Sequence, residues 1–144
     1  IFGAFESWRF PYKDKNWVAF KGSHMDLVLD LGETQNINSI EMEFLNVQAQ
    51  ANWHQLILPK HVTYSISEDG LSYSEPVKVI NPHNPNPAEN PEITMVPFHP
   101  FNIQFENKKC RFIKIHAENH IKMPAWHINA GRPAFIYVDE IVVK

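Results

Sequence analysis

Apolar residues recur at every second position in segment after segment of this 144-residue chain. In residues 26–31 the three leucines share one face, and in residues 40–44 Ile40, Met42 and Phe44 alternate with glutamates. A two-residue period is typical of β-strands with one face in a core and the other in water, and helical spacing is nowhere sustained. The chain is therefore predicted to fold from short strands.

One hairpin is predicted together with its turn. Val62, Tyr64 and Ile66 alternate with polar residues, and the turn sequence EDG follows at residues 68–70, ahead of Tyr73. Aspartate and glycine tolerate the left-handed backbone that tight hairpin turns require. We therefore expect two antiparallel strands joined at this turn.

The second half of the chain continues the alternation and closes on a longer apolar run. Further alternating positions are Phe101, Ile103 and Phe105, and then Ile113, Ile115 and Ala117. The closing run, residues 134–143, is apolar on both faces, which is typical of a strand in the middle of a covered sheet. Together these patterns predict an all-β fold, an antiparallel β-sandwich of two packed sheets.

A proline-rich stretch interrupts the strand pattern at residues 81–92. Its four prolines cannot donate hydrogen bonds to a strand ladder. Strand patterns of the same character continue on both sides of it. We therefore expect a surface loop within one sandwich rather than a linker between two domains.

Size and charge exclude several classes of protein. At 16.8 kDa with 44% apolar residues, the chain fits a single domain spanning residues 1–144. Its formal charge of −3 and the lack of a basic stripe argue against a nucleic-acid partner. No apolar run approaches the roughly 20 residues that span a bilayer, so no membrane partner is expected.

The first residue and the cysteine content suggest a fragment of a larger protein. The chain begins at Ile1 rather than at methionine, so we expect a domain excised from a longer chain. Cys110 is the only cysteine, which excludes an internal disulfide and leaves the cellular compartment open. Because it lies in an apolar run, Cys110 is expected to be a small core side chain.

Several motifs occur in an order that resembles one family. They are WVAFKG and DLVLDLG at residues 17–22 and 26–32, SEDG at 67–70, CRFIKI at 110–115, and PAWH and AFIYVDEI at 124–127 and 134–141. This order resembles the discoidin, or coagulation factor type C, family. The final block looks most like domains that trail bacterial chitobiases and β-N-acetylhexosaminidases.

The resemblance implies a discoidin-like jelly roll of about eight strands that meets its ligands through loops at one end. It also implies a non-catalytic carbohydrate-binding accessory module of a glycoside hydrolase that is secreted, periplasmic or on the bacterial cell surface. The implied partners are glycans with N-acetylhexosamine or galacto-configured sugars and the module's own catalytic domain. The alternative is a structural module that braces the catalytic domain without binding sugar.

Sugar binding by a sandwich needs an aromatic face for stacking and fixed polar groups for the hydroxyls. The candidate binding residues are Trp53, His54, Trp126, His127, Asn129 and Arg132. Trp53 fits a core plug as well as a ligand platform, and Trp126 fits core or loop anchoring better than ligand contact. Arg132 fits a solvated or loop-bracing role better than a contact with sugar.

The sequence offers two candidate metal sites. His116 and His120 have the i, i+4 spacing of zinc ligands on a helix, but His116 ends a predicted strand, so no zinc is expected there. The resemblance implies a structural calcium bound by Glu140 together with carbonyls of an early loop. No cofactor is otherwise required.

No catalytic constellation is visible in the sequence. Glycosidases need two carboxylates facing one cleft, whereas the spacing of Glu41 and Glu43 fits the solvent-exposed face of a strand. Asp139 and Glu140 are neighbours and are expected to point to opposite faces. No nucleophile stands beside an obvious base, so we expect a domain that is not an enzyme.

Overall fold

The computed structural model describes residues 17–46 and 54–144, together with the backbone of residues 2–3. The strands in this part of the chain are β1 (Phe2–Gly3), β2 (Trp17–Lys21), β3 (Met25–Glu41), β4 (Glu43–Leu45), β5 (His61–Ser67), β6 (Val77–Ile80), β7 (Phe98–Pro100), β8 (Ile103–Ala117), β9 (Phe135–Val138) and β10 (Val142–Val143). One 3-10 helix, Pro91–Met95, precedes β7.

The strands form two five-stranded antiparallel sheets. Sheet 1 has the order β1-β2-β9-β4-β7, and sheet 2 has the order β10-β3-β8-β5-β6. The predicted all-β antiparallel sandwich is confirmed, and its architecture is that of a jelly roll. The described residues contain ten strands rather than about eight, and two of the ten, β1 and β10, are only two residues long.

The chain crosses from one sheet to the other at Met42. Residues 40–44 were predicted as one strand, but Ile40 pairs in sheet 2 and Phe44 pairs in sheet 1. Asn102 accepts a hydrogen bond from the Met42 N–H through Oδ1 at 3.1 Å, where the strand ladder is interrupted. Ile40, Met42 and Phe44 all remain buried because both sheets face the same core.

The closing run is divided in the same way, so its interpretation as a single strand was wrong. Its first part, β9, lies in the middle of sheet 1, whereas β10 lies at the edge of sheet 2. Val138 makes the last pairing of β9, with Phe44, and the Asp139 N–H then donates to the Glu43 carbonyl at 3.0 Å. Residues 139–141 carry the chain between the sheets.

The core lies between the inward faces of the two sheets. Its largest fully buried side chains include Tyr64, Phe44 and Phe101, and the last two rings meet edge to face at 5.4 Å. Cys110 is fully buried in the same cluster, as predicted, and burial raises the pKa of its thiol.

The predicted hairpin joins β5 to β6. Asp69 Oδ1 accepts hydrogen bonds from the N–H groups of Leu71 and Ser72 and from the Ser67 hydroxyl. Gly70 has a φ of +76°, the left-handed conformation that glycine adopts most readily. The turn sequence therefore forms the structure that its residue types predict.

Candidate functional site

A groove of about 440 Å³ lies on the outer face of sheet 1. It is lined by His54, Gln55, Leu56, Asn129, Arg132, Phe135 and Tyr137. These residues come from three places in the chain: the segment before β5, the loop before β9, and β9 itself. Strand β9 supplies the floor, and the two loop segments supply polar side chains.

Backbone hydrogen bonds hold the segment around Leu56 alongside β9. The Phe135 N–H donates to the Gln55 carbonyl at 2.7 Å, and the Ile57 N–H donates to the Phe135 carbonyl at 3.0 Å. Leu56 thereby forms a parallel bridge with Phe135. The Gln55 side chain also donates to the Pro133 carbonyl at 3.0 Å, which fixes its amide at the groove.

The aromatic floor consists of Phe135 and Tyr137. They alternate along β9 with Ile136 and Val138, which face the core. Their half-buried rings lie 6.0 Å apart at an interplanar angle of 57°. They pack against a buried cluster formed by Trp17, Leu45 and Leu56. Burial raises the pKa of the Tyr137 hydroxyl, so this group stays protonated at neutral pH.

Neither floor residue was predicted as a binding residue from the sequence. Because residues 134–143 are apolar on both faces, their outward face was expected to be covered by a second layer. The available signal was the identity of the outward residues: Phe135 and Tyr137 are aromatic, whereas the inward Ile136 and Val138 are aliphatic. A pair of aromatic residues on one face of a strand also fits a stacking platform.

Three of the predicted binding residues lie in the groove. His54, Asn129 and Arg132 line it together, and the Arg132 side chain is exposed. A run of tight turns carries the last two residues: the Arg132 N–H donates to the Asn129 carbonyl at 3.1 Å, and the Gly131 N–H donates to the Met123 carbonyl at 3.0 Å. Gly131 has a φ of +79°, which favours glycine at this turn.

The predicted histidine and tryptophan of this loop have other positions. His127 is 5% exposed, and its Nδ1 accepts a hydrogen bond from the Asn129 N–H at 3.0 Å, so it shapes the loop instead of lining the groove. Trp126 is 36% exposed outside the groove lining and meets His127 edge to face at 5.6 Å. Trp53 lies outside the described residues.

A second, smaller pocket of about 170 Å³ lies where the chain crosses between the sheets, and several carboxylate residues line it. It is lined by Glu41, Met42, Glu43, Asn102, Asp139, Glu140 and Val142. Asp139 and Glu140 both line this pocket, and they follow β9, so the strand alternation used to predict their directions does not extend to them. Glu41 forms an ion pair with Lys144 at 3.2 Å.

The oxygen-rich lining of this pocket fits the implied calcium in its donor chemistry. Carboxylates are hard ligands that calcium prefers, and Glu140 is exposed at the pocket. The early loop that the resemblance assigns to the remaining ligands precedes β2, and residues 4–16 lie outside the described part of the chain. The role of Glu140 in binding calcium therefore stays a prediction.

His116 and His120 have different electrostatic surroundings. Burial, reinforced by the charge of Lys60, lowers the pKa of His120 to about 4. The pKa of His116 is lowered by burial but raised by hydrogen bonds to Glu118 and Asp26, and the net direction is upward. His116 instead lies close to His24 and Glu118.

No family model matches the chain, and no curated protein matches it. Solved structures are similar to it at low identity. CpGH89CBM32-6 of Clostridium perfringens is 16% identical with a TM-score of 0.48, over 88% of this chain and 75% of that one. A chitosan-binding module 1 from a chitosanase/glucanase of Paenibacillus sp. IK-5 is 15% identical with a TM-score of 0.48, over 99% and 86% of the two chains.

The C-terminal domain of a chitobiase from Bacteroides fragilis is 14% identical with a TM-score of 0.40, over 85% of this chain and 66% of that one. Among the described residues, no helix has the length and apolar character that crossing a membrane requires.

Proposed function

We propose that this domain binds glycan without catalysis, in the groove on the outer face of sheet 1. The observation that carries the proposal is the aromatic floor of Phe135 and Tyr137 with His54, Asn129 and Arg132 beside it. The apolar face of a sugar ring stacks on aromatic side chains, and its hydroxyls require fixed donors and acceptors. The groove combines both on one surface.

The volume of the groove limits the length of the glycan that it can bind, and its open shape limits the affinity. A volume of about 440 Å³ lies near the lower end of the range for small-molecule sites, which suits one or two sugar units. An open groove contacts only one side of its ligand and leaves the other side solvated. Binding by a single domain is therefore weak, and its value comes from keeping a linked enzyme near its polymeric substrate.

The setting we propose is a glycoside hydrolase of the chitobiase or β-hexosaminidase kind, acting outside the cytoplasm. The support is the order of the sequence motifs, which ends in the PAWH and AFIYVDEI segments. The proposed ligands are N-acetylhexosamine or galacto-configured sugars. The module would then tether its own catalytic domain to the glycan.

Calorimetric titration with galactose, N-acetylglucosamine and N-acetylgalactosamine tests the proposal. At least one sugar should bind, and Tyr137→Ala and Arg132→Ala should each weaken that binding tenfold or more. The matched controls are Tyr73→Ala and Arg111→Ala, because Tyr73 contacts Lys114 and Arg111 pairs with Asp30 on sheet 2. Failure of all three sugars to bind, or equal losses in the control variants, would overturn the proposal.

One observation favours the bracing role as a second candidate. Ile128 is 77% exposed and Trp126 is 36% exposed on the same loop, which is apolar surface that a neighbouring domain could cover. Acrylamide quenching of tryptophan fluorescence in the isolated domain and in the full-length enzyme distinguishes the two roles. Bracing predicts that Trp126 is protected in the full-length enzyme without sugar, whereas glycan binding in the groove alone predicts equal quenching of Trp126 in the two proteins, because Trp126 lies outside the groove lining.

A further inference from the structure

Three side chains with metal-binding atoms come together away from the groove and from the acidic pocket. His24 lies in the turn between β2 and β3, His116 lies near the end of β8, and Glu118 follows β8. Their ligand atoms all lie within 4.8 Å of one another. None of the three lines the glycan groove or the pocket of Glu140.

The distances within the cluster are close to those of a metal site. The His24 Nδ1 and Glu118 Oε2 atoms are 3.5 Å apart, and the His116 Nε2 and Glu118 Oε2 atoms are 2.7 Å apart. Ligands bound tetrahedrally to zinc at about 2.0–2.2 Å lie roughly 3.4 Å from one another. The first pair already has this separation, and the second needs to open by less than about 1 Å.

A fourth side chain orients His116. Asp26 Oδ1 lies 2.6 Å from His116 Nδ1, and the two residues are direct partners in the pairing of β3 with β8. A carboxylate on one ring nitrogen is the usual outer partner of a metal-binding histidine, because it fixes the ring and leaves the other nitrogen for the metal. Here that other nitrogen is Nε2, which faces Glu118.

His24 Nδ1 acts as a hydrogen-bond acceptor in this structure. The backbone N–H of Asn119 donates to it at 3.1 Å, so Nδ1 carries a lone pair. A metal ion binds a histidine through such a lone pair. Because Nδ1 has only one lone pair, a metal bound there would displace the Asn119 N–H.

We propose that His24, His116 and Glu118 bind one divalent transition-metal ion of the zinc class. Two imidazoles and one carboxylate suit zinc, cobalt and nickel, whereas calcium and magnesium prefer ligand sets made of oxygen alone. The three side chains are 28–34% exposed, so the fourth coordination position faces solvent. The carboxylates of Asp26 and Glu118 balance the charge of the ion.

Such an ion would link the turn before β3 to the end of β8. Because it binds only the folded chain, it raises the melting temperature, and the increase grows with the logarithm of its concentration relative to its dissociation constant. The site needs no glycan, and glycan binding in the groove needs no metal. The two proposals can therefore fail independently.

The test uses untagged protein stripped of metal, titrated with Zn²⁺, with Co²⁺ as a spectroscopic probe and Ca²⁺ as a comparison. One Zn²⁺ should bind per chain and raise the melting temperature, and Co²⁺ should give the visible absorption of a tetrahedral or five-coordinate site. Ca²⁺ should not compete. His24→Gln and Glu118→Gln should each weaken Zn²⁺ binding tenfold or more, and Asp26→Asn should weaken it roughly 10–100-fold.

His83→Gln is the matched control, because His83 lies in a separate histidine pair with Nε2 3.1 Å from His99 Nδ1. It should leave Zn²⁺ binding unchanged. Circular dichroism without metal establishes that each variant is folded. If His24→Gln does not fold, Asp26→Asn still tests the site, because Asp26 contacts His116 and is not itself a proposed metal ligand. Absence of bound Zn²⁺ in the wild type overturns the proposal. Loss of binding in His83→Gln, or unchanged binding in the cluster variants, also overturns it.

Discussion

The hydroxyl of Tyr64 donates a hydrogen bond to the backbone carbonyl of Phe101 in the middle of the sandwich. Tyr64 belongs to β5 of sheet 2, whereas Phe101 follows β7 of sheet 1. Both residues are almost fully buried, and burial raises the pKa of the Tyr64 hydroxyl, which favours its protonated, hydrogen-bond-donating form. This contact links the two sheets through polar atoms inside an apolar core.

Removing that hydroxyl should destabilise the fold measurably. Tyr64→Phe leaves the Phe101 carbonyl buried without its donor, which costs about 1–3 kcal/mol of unfolding free energy. Urea denaturation followed by fluorescence measures the change. Tyr73→Phe is the control and should change stability by less than about 0.5 kcal/mol, because Tyr73 is outside the core. Equal stability of Tyr64→Phe and wild type would contradict the prediction.

The pairing of Asp30 with Arg111 should make stability depend on pH in the acid range. Arg111 donates to both carboxylate oxygens at 2.8 and 2.9 Å, and these bonds, with one from the Gly32 N–H, lower the pKa of Asp30 from 3.8 to about 2. A lowered carboxyl pKa stabilises the folded state above the unfolded value, and this stabilisation is lost as the pH falls through the folded value.

The stability difference between wild type and Asp30→Asn should therefore be constant above about pH 5, shrink below about pH 4 and reach its acid limit only below about pH 2. Denaturation curves collected at several pH values measure it. Arg111→Gln should give a profile of the same direction and smaller amplitude, because the Gly32 N–H still lowers the pKa of Asp30. A difference that does not change with pH would show that the pair does not form in solution.

Asn119 should contribute strongly to the stability of the end of the sandwich beside the groove. Its amide donates to the carbonyls of Ser23 and Ala134, both at 2.9 Å, and its Oδ1 accepts the Ile121 N–H at 3.0 Å. Because Asn119 is 1% exposed and Asn119→Ala removes all of these hydrogen bonds at once, the substitution costs about 2 kcal/mol or more.

Thermal unfolding measures the loss in Asn119→Ala. Sugar affinity should also fall, because Ala134 directly precedes the floor residue Phe135. Asn84→Ala, in the exposed loop before β7, is the control and should change neither property. An unchanged melting temperature in Asn119→Ala would contradict this assignment.

Two glycines with the same backbone conformation should respond differently to alanine. Gly70 and Gly32 have φ values of +76° and +88°, so either substitution costs about 1–2 kcal/mol of left-handed strain. A Cβ at Gly70 would also lie 3.2 Å from the Phe112 ring, whereas a Cβ at Gly32 would meet no atom within 4 Å. Gly70→Ala should therefore be the more destabilising change in urea denaturation. The reverse order would contradict the packing described at Phe112.

The sequence alone was enough to predict which side chains enter the core and where the hairpin turns. Ile40, Met42 and Phe44 are buried because alternation depends only on the pleat of an extended chain. The SEDG turn forms because its hydrogen bonds join residues at most three positions apart. Both properties are local, so the order of residue types determines them.

The sheet to which each strand belongs, and the neighbours of each polar group, were decided by tertiary structure. Alternation is unchanged when a strand crosses between two sheets that share one core, so the crossing at Met42 left no signal. The groove exists because residues distant in sequence, Gln55 and Phe135, are hydrogen-bonded side by side. His24 approaches His116 only through the turn into β3 and the pairing of β3 with β8. Such contacts depend on the closure of the whole chain, which no short stretch of residues encodes.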